Sequence, residues 1–258
     1  MVTDRATDGA SDRGKGLLWL SVFSAFAFVI LIGLGTWQVQ RLHWKNGLIA
    51  QIDARVHATP ITLADALAAV RRGEDLEYTR VAVTGRWIPG HERYLWAPSS
   101  RGPGWHVYAP LKSAKGPIVI VNRGFVPDAR RDPASRPEPG QSGDVTLIGL
   151  LRKPEERNLF TPDNDVARNI WYWRDTNGMA QSMFPQADSE IAPFSIDAEA
   201  GSAPLPGPQG GVTRLQLPNS HLQYAVTWYG LAATLVGVYV AFVWTRLQRD
   251  REDAHTTT

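Results

Sequence analysis

Two windows of this chain carry no charged residue: the 25 residues from Gly16 to Gln40 and the 24 from Leu222 to Thr245. A helix needs about 20 such residues to cross a hydrocarbon core, so each window is read as a spanning helix. That fixes the order of the chain: a short tail over 1–15, a first span over 16–40, one domain over 41–221, a second span over 222–245 and a closing tail over 246–258. The first window is too long for a signal-peptide core and has no small-x-small site after it, so an uncleaved anchor is expected. Two spans leave both ends on one side of the membrane. Arg246, Arg249 and Arg251 follow the second span and only Arg214 closely precedes it, while Arg13 and Lys15 balance Arg41 and Lys45 around the first. The excess of cations marks the cytoplasmic side, which places the termini there and the domain outside, in the periplasm of a bacterium.

Between the spans the pattern changes. Helical spacing continues past the first window through Leu42, Leu48, Ile49, Ile52 and Val56, and Thr62 is placed to cap a short helix, "LADALAAVRR". Runs rich in Val, Ile, Tyr and Trp then alternate with turn chemistry: "EYTRVAVTGRW", "ERYLWAP", "GWHVYAPLKS", "GPIVIVNRGFV", "VTLIGLLR", "NIWYWRD", "APFSID" and "VTRLQLP". A helix is expected near "TNGMAQSMF". "DARRDPASRPEPGQSGD" and "GSAPLPGPQGG" read as loops, and the polar segment 1–15 as unstructured. Seven or eight strands at this spacing suggest a sandwich or a partly open barrel. The expected fold class is therefore α+β, a membrane protein with one β-rich extracytoplasmic domain between two terminal helices.

The residue inventory removes several functions. With no Cys and three Met, thiolate catalysis, zinc fingers, soft-metal handling and thioether haem attachment have no ligands. No nucleophile elbow, His-Glu-x-x-His, phosphate-binding loop or dinucleotide fingerprint occurs. Asp163 and Asp165 lack the Gly and distal Glu of a calcium loop. His91, His106 and Arg123 read as structural residues of turns and strands, and His43, His57 and His255 as interfacial, loop and tail residues. The chain is expected to be neither an enzyme nor a nucleic-acid binder.

The helix ends are the unusual part. "NSHLQYAVTWYG" puts His221 in the first turn of the second span, with Ser220, Asn219 or Gln223 near enough to hold one ring nitrogen. Residues seven apart fall within about 20° of one helix face, so His221 and Trp228 share a stripe with Tyr224 and Ala225 between them. An imidazole, a phenol and an indole around a small gap form a wall for a flat aromatic ligand. The first span ends in "GTWQVQRLHWK", where Trp37 and Trp44 are also seven apart and Arg41, able to pair with an anionic group, lies between them. The same residues suit a second reading. Trp and Tyr form belts at membrane interfaces, Arg snorkels to the headgroups, and a His at that level needs no ligand.

In order along the chain, "LGTWQVQRLHWKNGLIAQI", "YTRVAVTGRW", "GWHVYAPL" with "VIVNRGFVP", "NIWYWRDTNGMA" and "NSHLQYAVTWYG" resemble the Surfeit locus protein 1 family from Trp37 to Tyr229. The resemblance implies an assembly factor of respiratory membranes. It would help mature the haem A-containing catalytic subunit of cytochrome c oxidase, subunit I, with the haem A synthase and membrane lipid as further partners. It implies haem A as the cofactor, carried transiently, with the family's haem-associated His and Trp falling on His221 (the iron ligand) and Trp228. Its first motif matches Trp37, Gln38 and Arg41, carried over as part of a membrane-side surface, while Tyr224 remains a candidate from helix spacing alone. Here Ser220 replaces the second Asn of the family's Asn-Asn-His, and Tyr229 stands where Phe is frequent. A haem-independent scaffold that stabilises an assembly intermediate is the alternative role.

Overall fold

The computed structural model describes residues 5–99, 102–136, 143–185, 190–201, 207–213, 215 and 217–256. Contacts divide it into two units, Met1–Ala50 with Gln216–Thr258, and Gln51–Leu215. In chain order the elements are α1 (Arg5–His57), β1 (Ile61–Thr62), α2 (Leu63–Arg71), β2 (Arg80–Trp87), β3 (Arg93–Trp96), β4 (Gly104–Ser113), β5 (Ile118–Pro127), β6 (Val145–Arg152), α3 (Thr176–Met183), β7 (Ile191–Ala198) and α4 (His221–Thr256).

The first unit is helical. Both helices include a stretch long and apolar enough to cross a membrane, Gly16–His57 and His221–Arg249. Each outruns its uncharged window. α1 already begins at Arg5, inside the segment whose composition suggested no structure, while residues 1–4 lie outside the described ones. α4 continues to Thr256, into the expected tail. Helix propagates cheaply from a formed nucleus, so the polar flanks follow the apolar core. The two helices run antiparallel. Ser21 Oγ lies 2.6 Å from the Tyr239 hydroxyl, Thr36 Oγ1 lies 3.2 Å from the Tyr229 hydroxyl, and the Lys45 ammonium donates to the Pro218 carbonyl. The seam is lined by small residues. Ala225 and Ala232 are each 2% exposed, and a Cβ on Gly35 would meet the Tyr229 ring at 2.7–3.0 Å. Small residues let the two backbones approach closely.

The second unit is a closed five-stranded barrel. Its sheet runs β1-β2-β6-β7-β5-β4-β3, and β2 also pairs with β4, joining β2-β6-β7-β5-β4 into a ring. Closure corrects the expectation of a sandwich or partly open barrel, and one residue makes it possible. Gly85 ends the β2–β6 ladder opposite Val145 and begins the β2–β4 ladder opposite Ser113. A Cβ there would lie 2.3 Å from the Lys112 carbonyl oxygen, so only glycine lets β2 bend from one neighbour to the other. β5 and β7 are parallel, the other ring pairs antiparallel.

Inside the ring Val81, Val83, Leu111, Val119, Val121, Leu151, Phe194 and Ile196 form the core, with Leu63 and Ala66 of α2 against it. Thr62 caps α2 as its sequence implied, accepting from Asp65 N at 3.1 Å. β5 is buried on both faces, which explains the apolar run Ile118–Val121 at its start. Its Ile120 leaves the barrel interior to pack with Tyr108, Trp171 and the α3 residues Met179 and Met183. α3 forms where "TNGMAQSMF" suggested it, capped by Asp175 Oδ1 accepting from Gly178 N at 2.8 Å.

Three expectations change here. "NIWYWRD" is not a strand: it makes single bridges, Leu95 with Trp171 and Asp165 with Ile170. Its aromatic content reflects a buried anchor, Trp171, 0% exposed, instead of a ladder. The described residues of 212–218 form no strand, and Arg214 and Gln216 lie outside the described ones. The Pro-rich segment after β5, whose residues 137–142 are also outside the described ones, reads as a loop and yet contributes to the interior. It supplies Arg136, 2% exposed, which donates to Glu92 and, at 2.9 Å, to the Arg130 carbonyl.

Candidate functional site

In the helical unit His221 of α4 meets Gln38 of α1 at the seam. His221 opens α4 as the sequence implied, with Tyr224 N donating to the Ser220 carbonyl at 3.2 Å. Its Nδ1 lies 2.7 Å from Oε1 of Gln38 on α1. The residues expected to hold the ring, Ser220, Asn219 or Gln223, belong to its own segment, yet the partner comes from the other helix. A helix N-terminus projects its first-turn side chains beyond its own backbone ladder, and Gln38 stands opposite on the antiparallel neighbour. With an amide oxygen as acceptor, Nδ1 carries the proton, and in that tautomer of the neutral ring the lone pair is on Nε2. Metal-ligating histidines are oriented by this kind of contact.

A second amide contact brackets the pair. Asn219 Nδ2 donates to Asn46 Oδ1 at 2.7 Å, while Asn219 Oδ1 is buried without a hydrogen-bond partner. With the Lys45–Pro218 bond, these contacts tie α1 to the approach of α4 over residues 38–46 and 218–221.

The six candidate residues separate by face. Gln38, His221 and Trp228 are half-buried on the seam. Tyr224 does not join them: it is 53% exposed, while Ala225 lies in the seam. At about 100° per residue, Ala225 falls on one side of His221 and Tyr224 on the other, and packing selects the Ala side. Trp37 and Trp44 are 53% and 54% exposed. The Arg41 guanidinium carbon sits 3.9 Å from the centroid of the Trp44 ring, so a cation–π contact holds this side chain against the indole. Trp37, Arg41 and Trp44 thus line an outward stripe of α1, with Gln38 on the inner one.

In the barrel unit, the residues read as structural have structural partners. His91 stacks on Phe184 with centroids 5.0 Å apart. Arg123 pairs with Glu92 at 3.3 Å, Asp163 with Arg157 at 2.6 Å and Asp165 with Arg168 at 2.6 Å. A feature that the strand pattern did not reveal is a buried charge at Asp197 on β7, 3% exposed. Asp197 accepts from Asn122 Nδ2 at 3.0 Å, Arg152 at 2.9 Å and Thr213 Oγ1 at 2.8 Å. Burial pushes the Tyr108 phenol well above its usual range, and the Asp197 charge adds to this. Burial works against the Arg152 cation, but Asp197 and Glu77 outweigh it and raise its affinity for its proton. These groups border a cavity of about 560 Å³ that His106 and Glu155 also line, and His91 does not. The one available signal was the single Asp in "APFSID", an acid in an otherwise apolar strand.

Comparison with known proteins gives one family. A sequence model described as "SURF1 family" matches residues 25–233. Surfeit locus protein 1 of Xenopus tropicalis is 39% identical over 240 residues, covering 86% of this chain and 74% of that protein. Its human counterpart is 39% identical over 223 residues, 80% of this chain and 71% of that protein. The SURF1-like protein of Monosiga brevicollis is 35% identical over 253 residues, 93% of this chain and 92% of that protein.

Proposed function

Because this chain belongs to the SURF1 family, we propose that it is an assembly factor for cytochrome c oxidase. In this reading it holds haem A where Gln38 of α1 faces the first turn of α4 and hands it to the catalytic subunit. The observation that carries the reading is the 2.7 Å contact between Gln38 and His221, which fixes the orientation of the imidazole and leaves its Nε2 as the atom that would meet a metal. The residues present fit such a cargo. His221 would hold the iron through Nε2 and the half-buried Trp228 would offer an indole one heptad further along the same face, while Arg41, turned outward against Trp44, would meet a propionate only after leaving that contact. Haem A would supply an iron able to take a ring nitrogen, together with a lipophilic tail. A site at the ends of membrane helices is open to such a molecule from the bilayer. The chain's own part is to bind, orient and shield the iron.

The assignment to the bacterial inner membrane, with termini in the cytoplasm and the barrel in the periplasm, is supported by the two apolar helices and by Arg246, Arg249 and Arg251 beyond the second. The test is an absorption spectrum of the full chain, purified in detergent after co-production with the enzymes of haem A synthesis. A Soret band is expected, and His221→Ala should abolish it with the helix content unchanged. An unaltered band in that variant removes His221 from the site. Normal oxidase levels in cells carrying His221→Ala would instead favour the haem-independent scaffold.

A further inference from the structure

Among the described residues of the barrel unit, two neighbouring apolar side chains stand apart. Leu159 and Phe160 are each 94% exposed, whereas the next large apolar residue there, Val166, is 55% exposed. They occupy the two central positions of a braced turn. Thr161 N donates to the Asn158 carbonyl at 3.1 Å, and Phe160 N donates to Asn158 Oδ1 at 2.9 Å. Arg157 crosses the base, donating to the Thr161 carbonyl at 3.0 Å and pairing with Asp163 at 2.6 Å. The tip is therefore ordered before anything touches it, and a partner meets it without the entropic cost of fixing a loop.

The collar of the tip decides what kind of surface fits. Of the four carboxylates between Glu155 and Asp165, Asp163 and Asp165 are paired with Arg157 and Arg168, which leaves Glu155 and Glu156 as the net negative charge of the collar. Such a collar is repelled by an anionic bilayer surface. It complements an apolar cleft with Lys and Arg at its rim, where opposite charges guide approach and fix register.

We infer that the Leu159–Phe160 turn is a docking tip for a protein partner with an apolar, basic-rimmed cleft. The inference rests on the assembly role proposed above, which identifies that partner as the catalytic subunit of the oxidase. The test keeps the full chain in its membrane and places the photoreactive residue p-benzoylphenylalanine at position 160. Irradiation should join the chain to the catalytic subunit, and Glu155→Lys with Glu156→Lys should lower that yield at least about tenfold. The double change Leu159→Ser and Phe160→Ser should reduce recovery of the catalytic subunit with the chain at least about tenfold. Its haem content should stay at the native level, since neither residue is near His221 in sequence or in fold unit. Label confined to phospholipid overturns the inference in favour of bilayer insertion. Label on other proteins only, no label, or undiminished recovery of the catalytic subunit with the serine variant also overturns it. Failure of the assembly role itself shows separately, as oxidase levels unaffected by deleting the whole chain.

Discussion

Replacing Gln38 by Leu tests whether the imidazole of His221 is held for a metal or merely rests at the interface. The change keeps the size and apolar stem of the side chain and removes the oxygen that lies 2.7 Å from Nδ1. Losing an orienting partner of a ligating histidine costs about 10- to 100-fold in metal affinity, or about 1.4–2.7 kcal/mol. Gln38 and His221 are only half-buried, so water can replace part of the lost contact. The lower end, about tenfold, is therefore expected. Gln38→Glu should move the other way, because an ionised acceptor makes a hydrogen bond roughly twice as strong as a neutral one. The assay is a titration of haem A into the full chain in detergent, followed at the Soret band, with His221→Ala as the zero. Trp37→Leu is the control for a general effect of altering α1. If Gln38→Leu binds as the native chain does while His221→Ala does not bind, orientation by Gln38 plays no part and the argument from that contact fails.

Three further outcomes follow from other parts of the structure. Gly35→Leu places a side chain where even a Cβ meets the Tyr229 ring at 2.7–3.0 Å. The helices should part, and disulfide formation between cysteines at positions 21 and 239 should fall well below that in the Gly35 parent. Asp197→Ala leaves the 14%-exposed Arg152 side chain with Glu77 as its remaining carboxylate. The loss of one member of a buried pair costs about 3 kcal/mol at the lower end of such changes. That should lower the melting temperature, read by tryptophan fluorescence, by about 6–12 °C, and a shift within error would show the network to be dispensable. Alkali should destabilise the barrel for a definite reason. Burial raises the Tyr94 phenol, helped by Glu92, and burial with Asp197 raises that of Tyr108. Unfolded tyrosines lose their protons near about pH 10, whereas these two keep theirs when folded. Their contribution is thus complete below that pH and declines as pH rises above it. Denaturant midpoints followed together with tyrosinate absorbance should fall in step, and two tyrosines that titrate early in the folded protein would contradict this.

Much of the chain could be read residue by residue. The two uncharged windows, the Thr62 cap of α2, the alternating runs of β2 to β7 and the helix at "TNGMAQSMF" are short-range patterns, set by side-chain periodicity and turn chemistry within a few residues. His221 and Trp228 were placed on one helix face by spacing alone, and the Tyr224 side of that face was admitted with them. Which side is buried depends on the neighbouring helix, and the local sequence is equally compatible with both. "NIWYWRD" misled for a related reason: its aromatics suit a strand as well as an anchored loop, and only the packing of Trp171 separates the two.

The tertiary structure decided what depends on residues far apart in the chain. Barrel closure needs β2 to pair with both β6 and β4, and the pivot, Gly85, reads locally as an ordinary strand glycine. The parallel register of β5 and β7 joins segments separated by the whole Pro-rich loop, β6 and α3. The contact between Gln38 and His221 spans 183 positions. No short-range pattern encodes it, because it exists only when two antiparallel helices bring a side chain from each to the same level. Local sequence thus determined most of the helices and strands and their apolar faces, but not "NIWYWRD", "VTRLQLP" or the start of α1. Partners, closure and the orientation of the imidazole came from packing, since hydrogen bonds and steric fit act through space and not along the chain.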